Sequence, residues 1–248
     1  MRLLLLLAFI FISVHSHAAQ VSIIIDDIGY RQTDEAVLSL PSSVTLSVLP
    51  HTPLGKKIAK QASAKGHEIM LHLPMQALNG KKLGPGGLTN QMGEEEFKQT
   101  LSDAFNSIEN VRGVNNHMGS LLTQMEQPMG WLMQTLKQQD NYFVDSVTTR
   151  YSKAGEMALK YGVPLMRREI FLDNDVSEKA LEKQFKQILK LAKSQNHVIV
   201  IGHPYPETIA FLNKNLSRLS SESLSLVKTS ALLPYRIAQQ PQLTDSRH

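Results

Sequence analysis

The chain has 248 residues, of which 42% are hydrophobic and 19% charged, with 14 Gly, 11 Pro and no Cys. This composition excludes a disordered polymer, a collagen-like repeat and a disulfide-rich scaffold, and it means that any bound metal must be held by His, Asp or Glu with water. The formal charge of +4 is a mild excess without a compact Lys/Arg cluster, so nucleic acid is not an expected partner.

The chain begins with an apolar segment that is typical of an export signal. Arg2 provides a positive charge, residues 3–12 form an unbroken apolar run, and Ser16-His17-Ala18 has the small-x-small pattern of a cleavage site. A bilayer-spanning helix needs roughly 20 apolar residues, about twice this run. We therefore predict a signal peptide at residues 1–18, a periplasmic or secreted protein, and no stable membrane span after cleavage. A retained membrane anchor is the alternative.

After this segment, short apolar runs alternate with segments of helical periodicity. We predict strands at residues 21–29, 44–50, 67–75, 111–119, 142–146, 164–173 and 197–205, and helices at residues 34–40, 54–65, 94–108, 128–139, 152–161 and 177–194. Val- and Ile-rich strands that alternate with helices indicate right-handed crossovers in a parallel sheet. The pattern predicts an α/β fold: a single, distorted, seven-stranded (β/α) barrel over residues 19–236 with mostly parallel strands, and a flexible tail at residues 237–248.

Polar side chains follow these apolar runs at the point where each strand ends. The strand ends carry Asp26-Asp27, His72, His117, Asp145 and His203. In a parallel βα barrel the carboxyl ends of all strands open onto one face, where such folds place their active sites. We therefore expect these Asp and His side chains to meet at one end of the barrel.

The first of these groups is a pair of adjacent carboxylates, Asp26 and Asp27, directly after three isoleucines. Neighbouring residues on a strand point to opposite sides, so one carboxylate could bind a cation while the other addresses water on that cation. A capping or turn role ahead of Gly29 is the alternative.

Several motifs resemble those of the polysaccharide deacetylases. IIIDDIG resembles the first motif of that family, KGHEIMLH its second motif, and HVIVIGHPY its last motif. VNNHMGS, FVDS and FLDN resemble the divergent polysaccharide deacetylase branch found as secreted bacterial proteins. The resemblance covers roughly residues 21–233.

The resemblance implies roles for four residues. Asp26 would be the general base, Asp27 and His72 metal ligands, and His203 the proton donor to the leaving amine. The implied cofactor is a divalent metal, most simply zinc, which lowers the pKa of bound water toward about 7 and polarises the amide carbonyl.

One position departs from the family pattern. The ordinary family has a second metal-binding His four residues after the first, where this chain has Gln76. His117 ends the next strand, where the ordinary family carries an Arg-Pro-aromatic motif. We therefore predict that His117 supplies the missing imidazole of an Asp-His-His triad.

Other polar residues each have two alternative roles. Asp145 could orient His203 or contact substrate, with capping of the following loop as the alternative. Asn116, Arg150 and Arg168 are predicted substrate contacts, with loop-shaping or solvent-exposed roles as alternatives. Asp173 is interpreted mainly as a turn or N-cap residue before the helix at residue 177, with a place in the site as the alternative.

These observations predict a periplasmic metal-dependent hydrolase of the carbohydrate-deacetylase type. Its partner would be an acetylated envelope glycan, from which it removes N- or O-acetyl groups. Two alternatives remain open: a catalytically degenerate barrel that binds glycan or a protein partner, and a metal hydrolase of another bond, such as a phosphodiesterase. The chain has no GxSxG motif for a serine hydrolase, and its few aromatic residues indicate no obvious sugar-stacking platform.

Overall fold

The computed structural model describes residues 18–233. The predicted signal peptide, apart from its last residue, and the predicted tail at residues 237–248 lie outside this range. No helix between residues 18 and 233 is long and apolar enough to cross a membrane.

The described chain forms one parallel sheet of nine strands. They are β1 (Ala19–Ile28), β2 (Thr45–Val48), β3 (Ile69–Met75), β4 (Val111–Met118), β5 (Tyr142–Asp145), β6 (Leu165–Arg167), β7 (Ile170–Phe171), β8 (His197–Gly202) and β9 (Leu224–Leu226). The strand order is β6-β5-β4-β3-β2-β1-β8-β7, and β9 pairs with the first residues of β1. The predicted distorted (β/α) barrel with parallel strands is confirmed.

Helices pack around this sheet. They are α1 (Gly55–Ala64), α2 (Glu94–Ser107), α3 (Glu126–Gln138), α4 (Ala154–Tyr161), α5 (Glu178–Gln195), α6 (Pro206–Asn215) and α7 (Arg218–Ser221), with 3-10 helices at Gln32–Ser39, Leu122–Gln124 and Thr229–Leu232. Helix α5 buries Leu181, Phe185 and Ile188 on one face, as its periodicity predicts. The side chain of Ser177 caps its first turn by accepting from the Ala180 N–H.

One predicted strand is divided in the structure. Residues 164–173 form both β6, which pairs with β5, and β7, which pairs with β8. These two short strands lie at opposite edges of the sheet, so the chain crosses from one edge to the other at residues 168 and 169. The division explains why nine strands rather than seven are present in the described range, together with β9, which the sequence pattern did not predict.

The strands are buried on both faces. On β1, Ile23 and Ile25 belong to the large core between sheet and helices, whereas Ile24 belongs to a smaller cluster inside the curled sheet. Val198 and Val200 on β8 face the large core in the same way, and Ile199 faces the interior. This double burial is why the strands are continuous apolar runs rather than alternating ones.

The interior of the curled sheet is layered, because alternate residues of each strand face it. At the amino ends of the strands, the Tyr142 hydroxyl donates to Glu68 Oε1 over 2.7 Å, and the hydroxyls of Ser22 and Thr229 are 2.8 Å apart. The apolar layer around Ile24 comes next, and a second polar layer follows at the carboxyl ends of the strands. The 3-10 helix Thr229–Leu232 covers the amino end, where Ser230 N–H donates to Glu68. The site described below therefore lies at the opposite, carboxyl end.

Candidate metal centre

Three predicted ligands meet at the carboxyl end of the sheet. Asp27 Oδ1 lies 3.0 Å from His72 Nε2 and 2.8 Å from His117 Nδ1, and the two imidazole nitrogens are 3.2 Å apart. One ligand atom from each side chain falls within 4.8 Å of the others. The structure thus brings Asp27, His72 and His117 together, as the sequence predicts.

The backbone of Asp27 explains how two adjacent carboxylates reach the same site. Asp27 has a φ of 58°, in the left-handed region, and the register between β1 and β2 shifts between Ile25 and Ile28. A non-glycine residue in this conformation costs about 1–3 kcal/mol, a strain that concentrates at functional sites. As a result Asp26 Oδ2 approaches His72 Nδ1 (3.7 Å), while Asp27 Oδ1 contacts Nε2 of the same ring.

The donor set fits a divalent cation. His72 Nδ1 is 2.8 Å from Asn115 Oδ1, an acceptor, so Nδ1 carries a proton and Nε2 is the nitrogen available to a metal. Asp27 Oδ1 is buried and has no conventional hydrogen-bond donor besides the imidazoles beside it. One carboxylate and two imidazoles form a donor set used for zinc and related divalent ions.

The charges of the three side chains are coupled. Burial raises the pKa of Asp27, but hydrogen bonds from His117 and His72 outweigh it and hold this pKa far below its usual range. Burial lowers the pKa of His72, but the charges of Asp26 and Asp27 outweigh it and raise this pKa to about 9. A proton on His72 Nε2 therefore balances the carboxylates when no cation is bound, and binding a cation would release that proton.

Asn115 connects the predicted base to the predicted ligand. Its Nδ2 donates to both carboxylate oxygens of Asp26, over 2.8 and 2.9 Å, and its Oδ1 accepts from Ser47 Oγ over 2.7 Å and from His72. Burial raises the pKa of Asp26. This role was not predicted from the sequence, although Asn115 precedes His117 by two residues and so shares its side of the strand.

His203 lies at the same carboxyl end of the sheet, and it pairs with the carboxylate of Asp173 rather than with that of Asp145. Its Nδ1 is 2.8 Å from Asp173 Oδ1, and Asp173 Oδ2 accepts from the His203 N–H (2.6 Å) and from Thr208 Oγ1 (2.8 Å). Burial lowers the pKa of His203, but the hydrogen bond and charge of Asp173 raise it above its ordinary value. His203 Nε2 is then 4.0 Å from Asp27 Oδ2.

This contact corrects two expectations. Asp173, interpreted as a turn or N-cap residue, orients His203, and Asp145 does not. Phe171 of β7 pairs with Ile201 of β8, so Asp173 lies beside His203 just after these two strands. That β7 and β8 are neighbours cannot be read from the order of the strands along the chain. Asp145 instead accepts from the Val147 N–H, and its Oδ2 lies 4.0 Å from Arg167 Nε. A substrate contact for Asp145 stays a prediction.

Asn116 and Arg150 do not join the cluster. The Asn116 amide is buried and engaged at both ends, since Oδ1 accepts from the Ser146 N–H and Nδ2 donates to the Met118 carbonyl. It therefore ties the ends of β4 and β5 together, a loop-shaping role, rather than offering a free amide to substrate. Arg150 is exposed and lies over the ring of its neighbour Tyr151.

Arg168 is half-buried and packs against Phe171, the residue whose ring stacks on His203. Its Nε donates to the Ser146 carbonyl over 2.7 Å, and its guanidinium carbon lies 3.7 Å from the centre of the Phe171 ring. Phe171 in turn stacks on His203, with ring centres 6.1 Å apart. The structure gives Arg168 these internal contacts and leaves its predicted contact with substrate a prediction.

The side chain of Gln76 makes a hydrogen bond to a loop rather than to the Asp27, His72 and His117 cluster. Its Oε1 accepts from the Asn90 N–H over 2.8 Å, and it thereby holds the loop at residues 80–93. The third side chain of the cluster is His117, so the predicted replacement of the second metal His agrees with the geometry.

A cavity of about 270 Å³, which we call the cleft, adjoins the cluster. Its lining residues include Asp27, His117 and His203, together with Tyr30, Arg31, Asp34 and Tyr205. Two tyrosines, Tyr30 and Tyr205, thus border the cleft. The sequence had indicated no obvious aromatic platform for stacking a sugar. Sequence position alone could have suggested Tyr30, because it follows Asp27 by three residues.

Comparisons with known proteins agree with this geometry. A family model described as divergent polysaccharide deacetylase matches residues 23–233. The chain is 36% identical over 230 residues to the uncharacterized protein YibQ of Escherichia coli K12, which covers 92% of this chain and 70% of that protein.

Two solved structures are similar in fold. An uncharacterized protein of Agrobacterium tumefaciens C58 superposes with a TM-score of 0.84 at 22% identity, over 88% of this chain and 90% of that one. A CE4 family pseudoenzyme from Bacillus anthracis superposes with a TM-score of 0.54 at 12% identity, over 88% of this chain and 66% of that one. At these identities the superpositions show a shared fold.

Proposed function

The chain belongs to the divergent polysaccharide deacetylase family, and from this membership and the Asp27 cluster we propose that it is a metal-dependent hydrolase of an acetylated envelope glycan. The resemblance inferred from its motifs is thereby confirmed. The observation that carries the proposal is the convergence of Asp27, His72 and His117 next to Asp26 and the Asp173–His203 pair.

Asp27, His72 and His117 would hold the cation, for which we propose zinc. When bound, such an ion supplies Lewis-acid polarisation of the acetyl carbonyl and lowers the pKa of a water molecule. The remaining chemistry is assigned to side chains of this chain.

In the proposed reaction, Asp26 accepts a proton from the attacking water. The water oxygen forms a bond to the acetyl carbon, and the carbon–nitrogen or carbon–oxygen bond to the sugar then breaks. His203 donates a proton to the departing nitrogen or oxygen, so that acetate and a free amine or hydroxyl leave. The raised pKa of Asp26 suits a proton acceptor, and Asp173 raises the pKa of His203, which favours a proton donor, and orients its ring.

The proposed location is the periplasm or the cell exterior. The apolar residues 3–12 and the small-x-small site at residues 16–18 support export by a cleaved signal. An acetylated glycan of the cell envelope would be accessible there.

Metal content tests the site directly. Purified wild-type protein is expected to contain about one equivalent of a divalent metal by inductively coupled plasma mass spectrometry, and the His72→Ala/His117→Ala double variant is expected to lose it. His51→Ala is the matched control, because His51 is exposed and lies outside the cluster. Unchanged occupancy in the double variant, or no metal in the wild type, would contradict the site.

Acetate release tests the reaction. Wild-type protein should release acetate from acetylated glycan fragments, and Asp26→Asn and His203→Ala should abolish the release while metal is retained. Hydrolysis of bis(4-nitrophenyl) phosphate in place of acetate release would instead indicate a phosphodiesterase.

Gln76 favours a second candidate function. A glutamine at the position of the ordinary second metal His, and a similar fold in a protein described as a pseudoenzyme, are consistent with a barrel that binds glycan or a protein partner without turnover. Bound metal without any Asp26-dependent acetate release would support this alternative.

A further inference from the structure

Beyond the reaction itself, we propose that Tyr30, Arg31 and Asp34 form an acidic-sugar subsite of the cleft, in which Arg31 binds an anionic substituent of the glycan. This inference rests on the proposed function for its choice of a glycan ligand. Its test measures binding, so that it can fail or succeed separately from the hydrolytic reaction.

Arg31 offers a free cationic group at the cleft. Its side chain is exposed and borders the cavity that adjoins Asp27, His117 and His203. Among the ion pairs formed within residues 18–233, none involves the Arg31 guanidinium. A planar guanidinium without a partner matches the two oxygens of a carboxylate or the oxygens of a phosphate.

Asp34 fixes the backbone from which Arg31 projects. Asp34 is only 1% exposed, and its Oδ2 accepts from the backbone N–H groups of Gly29 (2.9 Å) and Arg31 (3.0 Å). The turn between β1 and the 3-10 helix Gln32–Ser39 is therefore held in one conformation. A preorganised turn lowers the entropic cost of placing the guanidinium against a ligand.

The second oxygen of Asp34 is an independent sign of a ligand. Asp34 Oδ1 is buried without a hydrogen-bond partner, and Asp34 lines the cleft. A buried acceptor without a donor is costly, and a sugar hydroxyl entering this side of the cleft would supply the donor.

Tyr30 completes the subsite with an apolar surface. It is 50% exposed and borders the same cavity. An exposed ring of this kind provides a flat face for the C–H groups of a sugar. A cation, a hydroxyl acceptor and an aromatic face together match a sugar that carries a negative charge better than a neutral sugar.

Calorimetric binding of defined probes to the metal-loaded protein tests the subsite. The probes are a disaccharide of N-acetylglucosamine and N-acetylmuramic acid, which has a carboxylate, the neutral N,N'-diacetylchitobiose, and N-acetylglucosamine 6-phosphate. Wild-type protein should bind an anionic probe more tightly than the neutral one. The stronger of the two anionic probes identifies carboxylate or phosphate as the substituent.

Arg31→Gln should remove this preference, with a loss of roughly tenfold or more for the anionic probe and little change for the neutral one. Arg112→Gln is the matched control, because Arg112 is also exposed but lies near the amino end of β4, away from the cleft. Asp34→Asn keeps an oxygen for the two backbone donors but replaces Oδ1 by an NH₂ group, and it should weaken binding of all probes. Thermal unfolding verifies that each variant is folded.

The subsite is overturned if wild-type protein binds the neutral probe as tightly as both anionic ones, or if Arg31→Gln binds them as wild type does. If wild-type protein shows the charge preference and loses it in Arg31→Gln but releases no acetate, the subsite stands and the proposed hydrolase function fails.

Discussion

Replacing Asn115 by alanine should weaken both the fold and the metal site. Asn115 is buried between Asp26, Ser47 and His72, and it makes hydrogen bonds of 2.7–2.9 Å to all three. The alanine variant leaves Asp26 without a donor, and it leaves His72 Nδ1 and the Ser47 hydroxyl without an acceptor. All three groups remain buried, so water does not replace the lost hydrogen bonds.

The magnitude follows from the number of groups left without partners. A buried polar group that loses its partner costs about 1–3 kcal/mol, so Asp26, Ser47 and His72 together should lower the free energy of unfolding by about 3–9 kcal/mol. Loss of the contact that orients a metal-binding imidazole costs about 10–100-fold in metal affinity. The dissociation constant for zinc should rise by that factor.

Two measurements separate these effects. Urea denaturation in the presence of a chelator gives the stability of the metal-free protein, and competition with a chromogenic chelator gives the zinc affinity. Asn141→Ala is the matched control, because Asn141 is also buried but donates to the Val111 carbonyl at the other end of the sheet. It should lose about 1–3 kcal/mol of stability and keep wild-type zinc affinity.

The reasoning is refuted if Asn115→Ala binds zinc as tightly as Asn141→Ala. It is also refuted if the two variants are equally stable, since the larger loss follows from the three side chains whose hydrogen bonds Asn115 satisfies.

Three further predictions concern other parts of the barrel. Asp173→Asn removes the charge that holds the proton on His203, so acetate release should fall about 100-fold or more while zinc content stays at the wild-type level. Tyr142→Phe removes one donor to the buried Glu68, so urea denaturation should show a loss of about 1–3 kcal/mol without a change in zinc affinity. Burial lowers the pKa of His67 below its unfolded value, so the unfolded chain binds the proton more readily; the stability of chelator-treated wild-type protein relative to that of His67→Gln should therefore fall as the pH falls from 7 to 5.

Each of these predictions has an outcome that contradicts it. Wild-type turnover in Asp173→Asn would show that His203 does not depend on that carboxylate. A changed zinc affinity in Tyr142→Phe would mean that the two polar layers of the barrel are coupled. Parallel pH profiles for wild type and His67→Gln would show that His67 titrates alike in the folded and unfolded chains.

The sequence was informative about the candidate metal ligands for a geometric reason. Asp27, His72 and His117 each follow an apolar strand, and the carboxyl ends of parallel strands share one face of the sheet. Their meeting could therefore be predicted without knowing which strands are neighbours.

The contacts between particular side chains of different strands could not be predicted in this way. Asp173 reaches His203 because β7 lies next to β8, although residues 164–173 were predicted as one strand. Asn115 reaches Asp26 across strands that are far apart in the chain, and an asparagine in a strand has no local signature of such a role.

The sequence by itself therefore determined the fold class and which Asp and His side chains end the strands, because hydrophobic periodicity and strand-end chemistry are local properties; the resemblance to a family then implied which of them are candidate metal ligands. Only the tertiary structure decided which carboxylate orients His203, which amide joins Asp26 to His72, and that Arg31 borders the cleft. These depend on strand order and on the left-handed turn at Asp27, which arise from packing of the whole sheet.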